Sequence, residues 1–285
     1  MRQLGAGGEY RTAGGVIEAG CLRCPDTPCA RFSSSERGAD NSVADSVCVV
    51  NALREAPEGM VVTDACFGCG LCVTRCGWGA IRFHEGRAIV ATADESYVES
   101  EESDFDDRRQ SLLDGRTWSS TETQPFVVEV TGRLSRLRQS PFYEYLCALL
   151  TALGIPARAS RHGDTSLRMD AVCPHAEASM PVEIKSPTES LCADLKSVRQ
   201  ALENAVIMRA RETDPTTPET PSLAIGFDHI PDRSDARELA DDIEGTYGIR
   251  VRILATRWLL AALGEATVGL STFDADAVRR GEYSE

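Results

Sequence analysis

Lysine is almost missing from this chain. Only Lys185 and Lys196 occur among 30 basic residues, the rest being arginine, and there are only four histidines. The basic side chains are outnumbered by 44 acidic ones, leaving a net charge of −14. That balance excludes broad, sequence-independent adhesion to polyanions, although a local basic groove stays open. Half of the excess negative charge falls in residues 94–124, the pattern of a solvated, self-repelling linker. Long apolar runs are absent too. No stretch reaches the ~18 apolar residues that a membrane span needs. The opening residues MRQLGAGGEYRTAGG have no apolar run of the signal-peptide kind, so no export and a cytoplasmic location are expected.

Cysteine, by contrast, is plentiful, with eleven in the chain. In a chain with no expected leader this points to metal binding rather than to a disulfide framework. The densest run is Cys66-Phe-Gly-Cys69-Gly-Leu-Cys72-Val-Thr-Arg-Cys76, a C-x2-C-x2-C-x3-C spacing. Three thiolates two residues apart, with a fourth just beyond, can wrap a cubane of iron and sulfide. Zinc sites instead use ligand pairs separated by a long loop, although zinc on some of these thiolates stays open as an alternative. Cys147, Cys173 and Cys192 lie in apparent core elements and read as small buried residues.

The chain divides by pattern. Residues 1–20 are glycine-rich and read as a flexible lead-in, and 21–93 hold eight of the eleven cysteines. Residues 94–124 read as an acidic linker, and 125–285 as an ordinary domain of helices and strands. In PFYEYLCALLTALG (141–154) the apolar residues Phe142, Tyr145, Leu146, Leu149, Leu150 and Leu153 recur at helical spacing, with Ser140 as the expected cap and Gly154 as the stop. Extended pieces follow at 157–161, 167–173 and 180–186. A helix is expected over about 191–211, with Leu191, Leu195, Val198, Leu202, Ala205 and Val206 on the core face and Lys196, Arg199, Gln200, Glu203 and Asn204 opposite. Beyond it come a strand at 222–227, a helix at 235–247, a strand at 250–255 and a helix at 257–264. The order α-β-β-β-α-β-α-β-α suggests a mixed sheet covered by helices.

The segment DACFGCGLCVTRCGWGAI (64–81) resembles the bacterial two-cluster ferredoxin motif, with Gly77 where that family has proline. The resemblance implies a second set of ligands. Cys21 and Cys24 form a C-x2-C pair, Cys29 follows four residues later, and Cys48 stands in VCVVNAL like the family's fourth cysteine, after a much longer loop. Carried over residue by residue, one 4Fe–4S cluster would use Cys48, Cys66, Cys69 and Cys72. The other would use Cys21, Cys24, Cys29 and Cys76. The implied fold is an α+β ferredoxin-like domain.

In Val182-Glu183-Ile184-Lys185, strand alternation puts Glu183 and Lys185 on one face. A carboxylate and an ammonium at a strand end suit a metal site, with the acid holding a divalent cation and the lysine orienting water. An isolated Glu-x-Lys is more often a simple ion pair. Here Asp170 stands on the preceding strand, Glu144 lies on the first helix, and one of the two lysines falls on the motif. This arrangement resembles the PD-(D/E)xK (restriction-endonuclease-like) nuclease superfamily over residues 130–265, with Met169 in the place of the motif's proline. The resemblance implies an α/β mixed-sheet nuclease domain. Asp170, Glu183 and the Ile184 carbonyl would bind Mg²⁺ or Mn²⁺, with Glu144 through water. Lys185 would position the nucleophile, and Gln200, or Asn204 one turn on, would supply the polar residue of the following helix. Arg158, Arg161, Arg168 and Arg199 are candidates for phosphate contact and equally for surface ion pairs.

The expected function is metal-dependent hydrolysis of phosphodiester bonds, in DNA first of all, in defence, restriction or repair. The iron–sulfur module would have a structural or redox-sensing role. The alternatives are a ferredoxin-type electron carrier, or an inactive nucleic-acid-binding relative, with a non-catalytic α/β domain. The expected partner is nucleic acid, with a redox partner and a homodimer also open.

Overall fold

The structure is a computed structural model that describes residues 10–12, 15–17, 21, 24, 26–57, 59–76, 80–84, 86–90, 120–160, 169–175, 178–211, 220–267 and 273–283. The expected lead-in at 1–20 falls mostly outside these residues, as does the acidic stretch up to residue 119. The chain forms two compact units, neither of them a single run of sequence. The first comprises Met1–Ser33, Ser46–Arg133 and Gly264–Ser271, and the second Ser34–Asp45, Leu134–Leu263 and Thr272–Glu285.

Among its described residues the first unit has three antiparallel hairpins, a short helix, and most of a longer helix at Ser120–Leu134. Strands β1 (Tyr10–Thr12) and β2 (Gly15–Ile17) pair, as do β3 (Leu53–Ala56) with β4 (Gly59–Val62) and β5 (Ile81–His84) with β6 (Arg87–Val90). Helix α1 (Ser34–Arg37) belongs to the second unit, and α2 (Leu71–Arg75) to the first. Among the described residues no large aliphatic core forms here. The buried cluster mixes Leu53, Met60, Val73 and Ile81 with Cys21, Cys29 and Cys72, and Cys24, Cys48, Cys66 and Cys76 pack against it. Thiols therefore take the place of bulky aliphatic side chains.

Helix α3 (Ser120–Leu134) begins inside the stretch expected to be a linker and has no counterpart in the sequence-based expectation. The second unit then runs α4 (Gln139–Ala152), β7 (Arg158–Ala159), β8 (Ala171–Cys173), β9 (Met180–Ile184), α5 (Leu195–Arg211), β10 (Ser222–Gly226), α6 (Asp235–Tyr247), β11 (Val251–Ala255) and α7 (Thr256–Thr267). This is the expected α-β-β-β-α-β-α-β-α order. A final helix, α8 (Ala275–Arg280), was not expected. The five strands form one mixed sheet in the order β11-β10-β9-β8-β7. β7, β8 and β9 are antiparallel neighbours, and β9, β10 and β11 run parallel.

Strand β9 is the middle strand, and every residue in it is buried. A central strand covered on both faces must be apolar or have its polar groups satisfied, which makes Glu183 conspicuous. Helix α4 covers the sheet with Phe142, Tyr145, Leu146, Leu149 and Leu150, all fully buried. Each contributes about 1.5–3 kcal/mol through apolar surface removed from water. The helix starts at Gln139, after an extended Arg138, so Ser140 is not its cap. Pro141 sits instead in the first turn, where its missing N–H goes unneeded.

Two expectations about α5 are corrected. The helix starts at Leu195 rather than 191, because the Asp194 carboxylate caps it, accepting the Ser197 N–H at 2.8 Å and the Ser197 hydroxyl at 2.7 Å. The residues before it dock on the end of β10 instead, with the N–H groups of Phe227 and Asp228 donating to the Leu191 carbonyl at 2.9 and 2.7 Å. Gly226 permits this approach, since a Cβ there would stand 2.4 Å from the Ala193 nitrogen. The core face of α5 is Ser197, Val198, Ala201, Asn204 and Ala205. Leu191 and Val206 are exposed and Asn204 is buried, the reverse of the expectation. Small side chains let the helix lie close to the sheet, so its buried stripe is not its most hydrophobic one. Among the described residues no helix is long and apolar enough to cross a membrane.

Candidate functional site

Glu183 is the fourth residue of the five in β9, and Lys185 follows the strand's last residue. The Lys185 N–H continues the ladder by donating to the Ile225 carbonyl at 2.8 Å. Lys185 therefore keeps strand alternation and shares a face with Glu183. Its ammonium donates to Glu183 Oε1 at 2.8 Å and to Gln200 Oε1 at 3.3 Å. Glu183 and Lys185 are both buried, at 2% and 8% exposure. Asp170 lies just ahead of β8, where the hairpin returns the chain to the carboxyl end of β9, and its Oδ2 accepts the Ile184 N–H at 2.8 Å. The expected Asp170, Glu183, Lys185 and Gln200 are thus brought together, at the strand ends where α/β sheets place their ligands.

The electrostatics are those of a crowded acidic site. Burial, and then the nearby Asp170 charge, push the Glu183 carboxyl up to about 7. Asp170 is raised mainly by burial, although the Ile184 N–H and the Lys185 charge work the other way. Burial opposes the Lys185 charge, but Glu183, Asp170 and Glu189 outweigh it and hold the ammonium above its ordinary value. One lysine faces several carboxylates, and a bound cation would relieve the imbalance.

Glu144 is not drawn into this group. It is exposed on α4, and among the described residues no hydrogen bond or ion pair joins it to Asp170, Glu183 or Lys185. Its helix neighbour Tyr143 reaches the site instead, its hydroxyl donating to the Ile184 carbonyl at 2.9 Å. Glu189 Oε2, at 3.2 Å, is a second acceptor for the same single proton, and the hydroxyl accepts from Gln139 Nε2 at 2.9 Å. Glu189 is held in turn by the Ser186 N–H at 3.0 Å and the Ser186 hydroxyl at 2.7 Å. Sequence reasoning missed Tyr143, Glu189, Gln139 and Ser186. The signal for two of them was present: Ser186-x-x-Glu189 is the reciprocal pattern of a capping box. Of the candidate phosphate contacts, Arg158 pairs with Asp40 at 3.3 Å and Arg199 is exposed on α5. Arg161 and Arg168 lie outside the described residues.

In the other unit the cysteines fall into two groups. The Cys29 thiol is pushed up to about 12 by burial and then by Cys76, Cys21 and Cys24. Burial also raises Cys72, with Cys69, Cys66, Cys48 and, last, Cys29 of the other group adding to it. Cys48, Cys66, Cys69 and Cys72 line one cavity. The Ala52 N–H points at Cys48 Sγ (3.0 Å) and the Ala88 N–H at Cys66 Sγ (3.4 Å). Gly68 and Gly70, both at positive φ, turn the chain between these thiols. No disulfide joins any of the eleven cysteines. Among the described residues no three His, Cys, Asp or Glu side chains converge as ligands of a single metal ion.

The second unit is thus a mixed α/β structure around a five-stranded sheet. No protein-family model matches the chain, and no curated protein does. Among solved structures, that of the restriction endonuclease FokI is similar at 9% identity, covering 71% of this chain, with a TM-score of 0.41. The chain spans 38% of the length of that structure.

Proposed function

We propose that the protein is a metal-dependent nuclease of PD-(D/E)xK type that hydrolyses phosphodiester bonds in DNA. One observation carries the reading: a buried Glu183–Lys185 contact of 2.8 Å ends the central strand, beside an Asp170 carboxylate fixed on the Ile184 N–H. A buried acid and base held for packing alone is costly, and here the acids outnumber the base. Asp170, Glu183 and the Ile184 carbonyl would hold Mg²⁺ or Mn²⁺, and the acid-rich balance suits a divalent ion. The bound cation supplies Lewis acidity and a water of lowered pKa. Lys185 orients the attacking water and faces the charge that develops on phosphate. Gln200 holds the Lys185 ammonium, and Tyr143 holds the Ile184 carbonyl.

The same proposal assigns two 4Fe–4S clusters to the first unit, on Cys21, Cys24, Cys29 and Cys76 and on Cys48, Cys66, Cys69 and Cys72. The grouping of the thiols supports it. Thiols driven up by burial need bound cations to lose their protons, and ligands on separate iron corners of a cubane need not converge on one point. N–H groups aimed at Sγ are the contacts that tune such centres. A bound cluster supplies a rigid cross-link and a one-electron redox centre. Hydrolysis consumes no electrons, so the module serves structure or redox sensing. The test is Mg²⁺-dependent cleavage of DNA by the wild-type protein and its Lys185→Ala variant.

A further inference from the structure

The sheet of the second unit has two ends. Asp170 precedes β8 and Ile184 closes β9, so the acidic site occupies one of them. Cys173 closes β8 and Met180 opens β9 at the other, where Thr220 and Arg250 stand just ahead of β10 and β11. A cavity of about 310 Å³ opens at this second end. Ile155, Ala178 and Met180 give it an apolar floor, and Arg250, Arg279, Arg280 and His175 line it with nitrogen donors. Among the described residues Glu282 is the one acidic side chain that lines it. In a chain of net charge −14, this gathering of guanidinium groups runs against the overall balance.

The arginines are held from behind. Arg250 Nη1 donates to the Arg280 carbonyl and Arg252 Nε to the Gly281 carbonyl, both at 2.6 Å. Gly281 sits at φ +65°, where a Cβ would meet Arg250 Cδ at 3.1 Å and Pro221 Cβ at 3.2 Å, so the turn after α8 is pressed onto the sheet end. Arg279 donates to Asp276 at 2.6 Å and to the Gly154 carbonyl. Arg280 pairs with Glu282 at 2.8 Å and lies 3.9 Å from Asp274, and Arg250 lies 3.5 Å from Glu244. A guanidinium carries five N–H donors, so each arginine keeps donors beyond these contacts. Three guanidinium groups line one concavity, and the planar guanidinium fork is the side chain best suited to a phosphate group. The volume lies at the lower end of small-molecule sites and exceeds what phosphate alone needs, and the apolar floor suits a flat, weakly polar body.

We propose that this cavity binds a phosphate monoester carried on a nucleoside, with the phosphate on Arg250, Arg279 and Arg280 and the base over Ile155, Ala178 and Met180. The carrier is a free mononucleotide or the 5′ end of a polynucleotide. The site shares no residue with the Asp170–Glu183–Lys185 group, and the proposal does not depend on nuclease activity.

Isothermal titration of the full-length holo-protein with AMP, adenosine, inorganic phosphate, and 5′-phosphorylated and 5′-hydroxyl oligonucleotides tests it. Saturable binding of AMP or of the 5′-phosphorylated oligonucleotide is expected, with adenosine and the 5′-hydroxyl oligonucleotide weaker by about tenfold or more. Which of the two phosphorylated probes binds identifies the carrier. Arg280→Gln, at an exposed position, should weaken binding by about tenfold, and Ala178→Met should block the floor. Lys185→Ala should leave binding unchanged. No saturable binding by either phosphorylated probe overturns the proposal. So does binding indifferent to both Arg280→Gln and Ala178→Met, and so does binding lost in Lys185→Ala, which would place the ligand at the other end of the sheet.

Discussion

Asp170 Oδ2 accepts the main-chain N–H of Ile184 at 2.8 Å. A carboxylate ahead of one strand is thereby locked to the backbone of the next, between Glu183 and Lys185. Asp170→Asn keeps an oxygen for that N–H and removes the charge. It should fold with a melting temperature close to wild type and lose cleavage by about 100-fold or more. Circular dichroism and initial cleavage rates on one preparation check both halves. A variant that cleaves at the wild-type rate would show that the Asp170 charge is not used.

Glu183 supplies a pH signature. Its ordinary value of 4.5 is raised to about 7 in the fold, so the folded protein favours the protonated form. The stability this contributes is fully present below pH 4.5 and is lost as the pH rises through about 7. Glu183→Gln keeps a neutral side chain at every pH. Compared by urea unfolding at about pH 5 and about pH 8, the variant should gain stability relative to wild type at the higher pH. Under the proposed role Mg²⁺ displaces the same proton, so its affinity for the wild-type protein should rise through the same window. A pH-independent Mg²⁺ affinity would remove Glu183 from the ligand set.

Tyr143 spans the site by hydrogen bonds to the Ile184 carbonyl and to Glu189. Tyr143→Phe removes both and leaves the ring. It should cost about 1 kcal/mol of unfolding free energy, read by denaturant melts. Mg²⁺ affinity should fall several-fold, because the carbonyl loses the group that aims it. Full stability with unchanged Mg²⁺ affinity would show the network to be incidental.

The order of elements in the α/β half was legible because α4 and the strands follow clean apolar periods. Asp170, Glu183, Lys185 and Gln200 were legible because strand alternation and a return through one hairpin dictate where they meet. On α4 the sequence pointed to Glu144 and not to its neighbour Tyr143, whose hydroxyl reaches the Ile184 carbonyl. No pattern separates two adjacent polar residues on a helix until its rotation against the sheet is known. The core face of α5 was legible only in part, at Val198 and Ala205, for a related reason. Close packing selects Ser197, Ala201 and Asn204, whereas a hydrophobicity count selects Leu191 and Val206. The grouping of Cys76 with Cys21, Cys24 and Cys29 followed from spacing read through a family resemblance. The arginine cavity was invisible, because Arg250, Arg279 and Arg280 are ordinary surface arginines until β11 and α8 bring them together.

Gly68 tests the cysteine-rich unit. It lies at φ +74°, and a Cβ there would stand 2.2 Å from the Gly86 carbonyl oxygen and 2.7 Å from Arg133 Nη1. Gly68→Ala should therefore displace the turn between Cys66 and Cys69. Iron and sulfide content, measured anaerobically with the visible charge-transfer absorbance, should drop by about half if one of two clusters is lost. Wild-type content in this variant would contradict the ligand set of Cys48, Cys66, Cys69 and Cys72.

The central claim is hydrolysis at the end of β9, and one measurement addresses it directly. Supercoiled plasmid and an end-labelled duplex are incubated with anaerobically purified wild-type protein and with Lys185→Ala, each in Mg²⁺, Mn²⁺ and EDTA. The account predicts nicked or linear products from the wild-type protein with either metal, none in EDTA, and a loss of about 100-fold or more in the variant. Intact DNA with wild-type protein under every metal condition, or equal cleavage by Lys185→Ala, would contradict it.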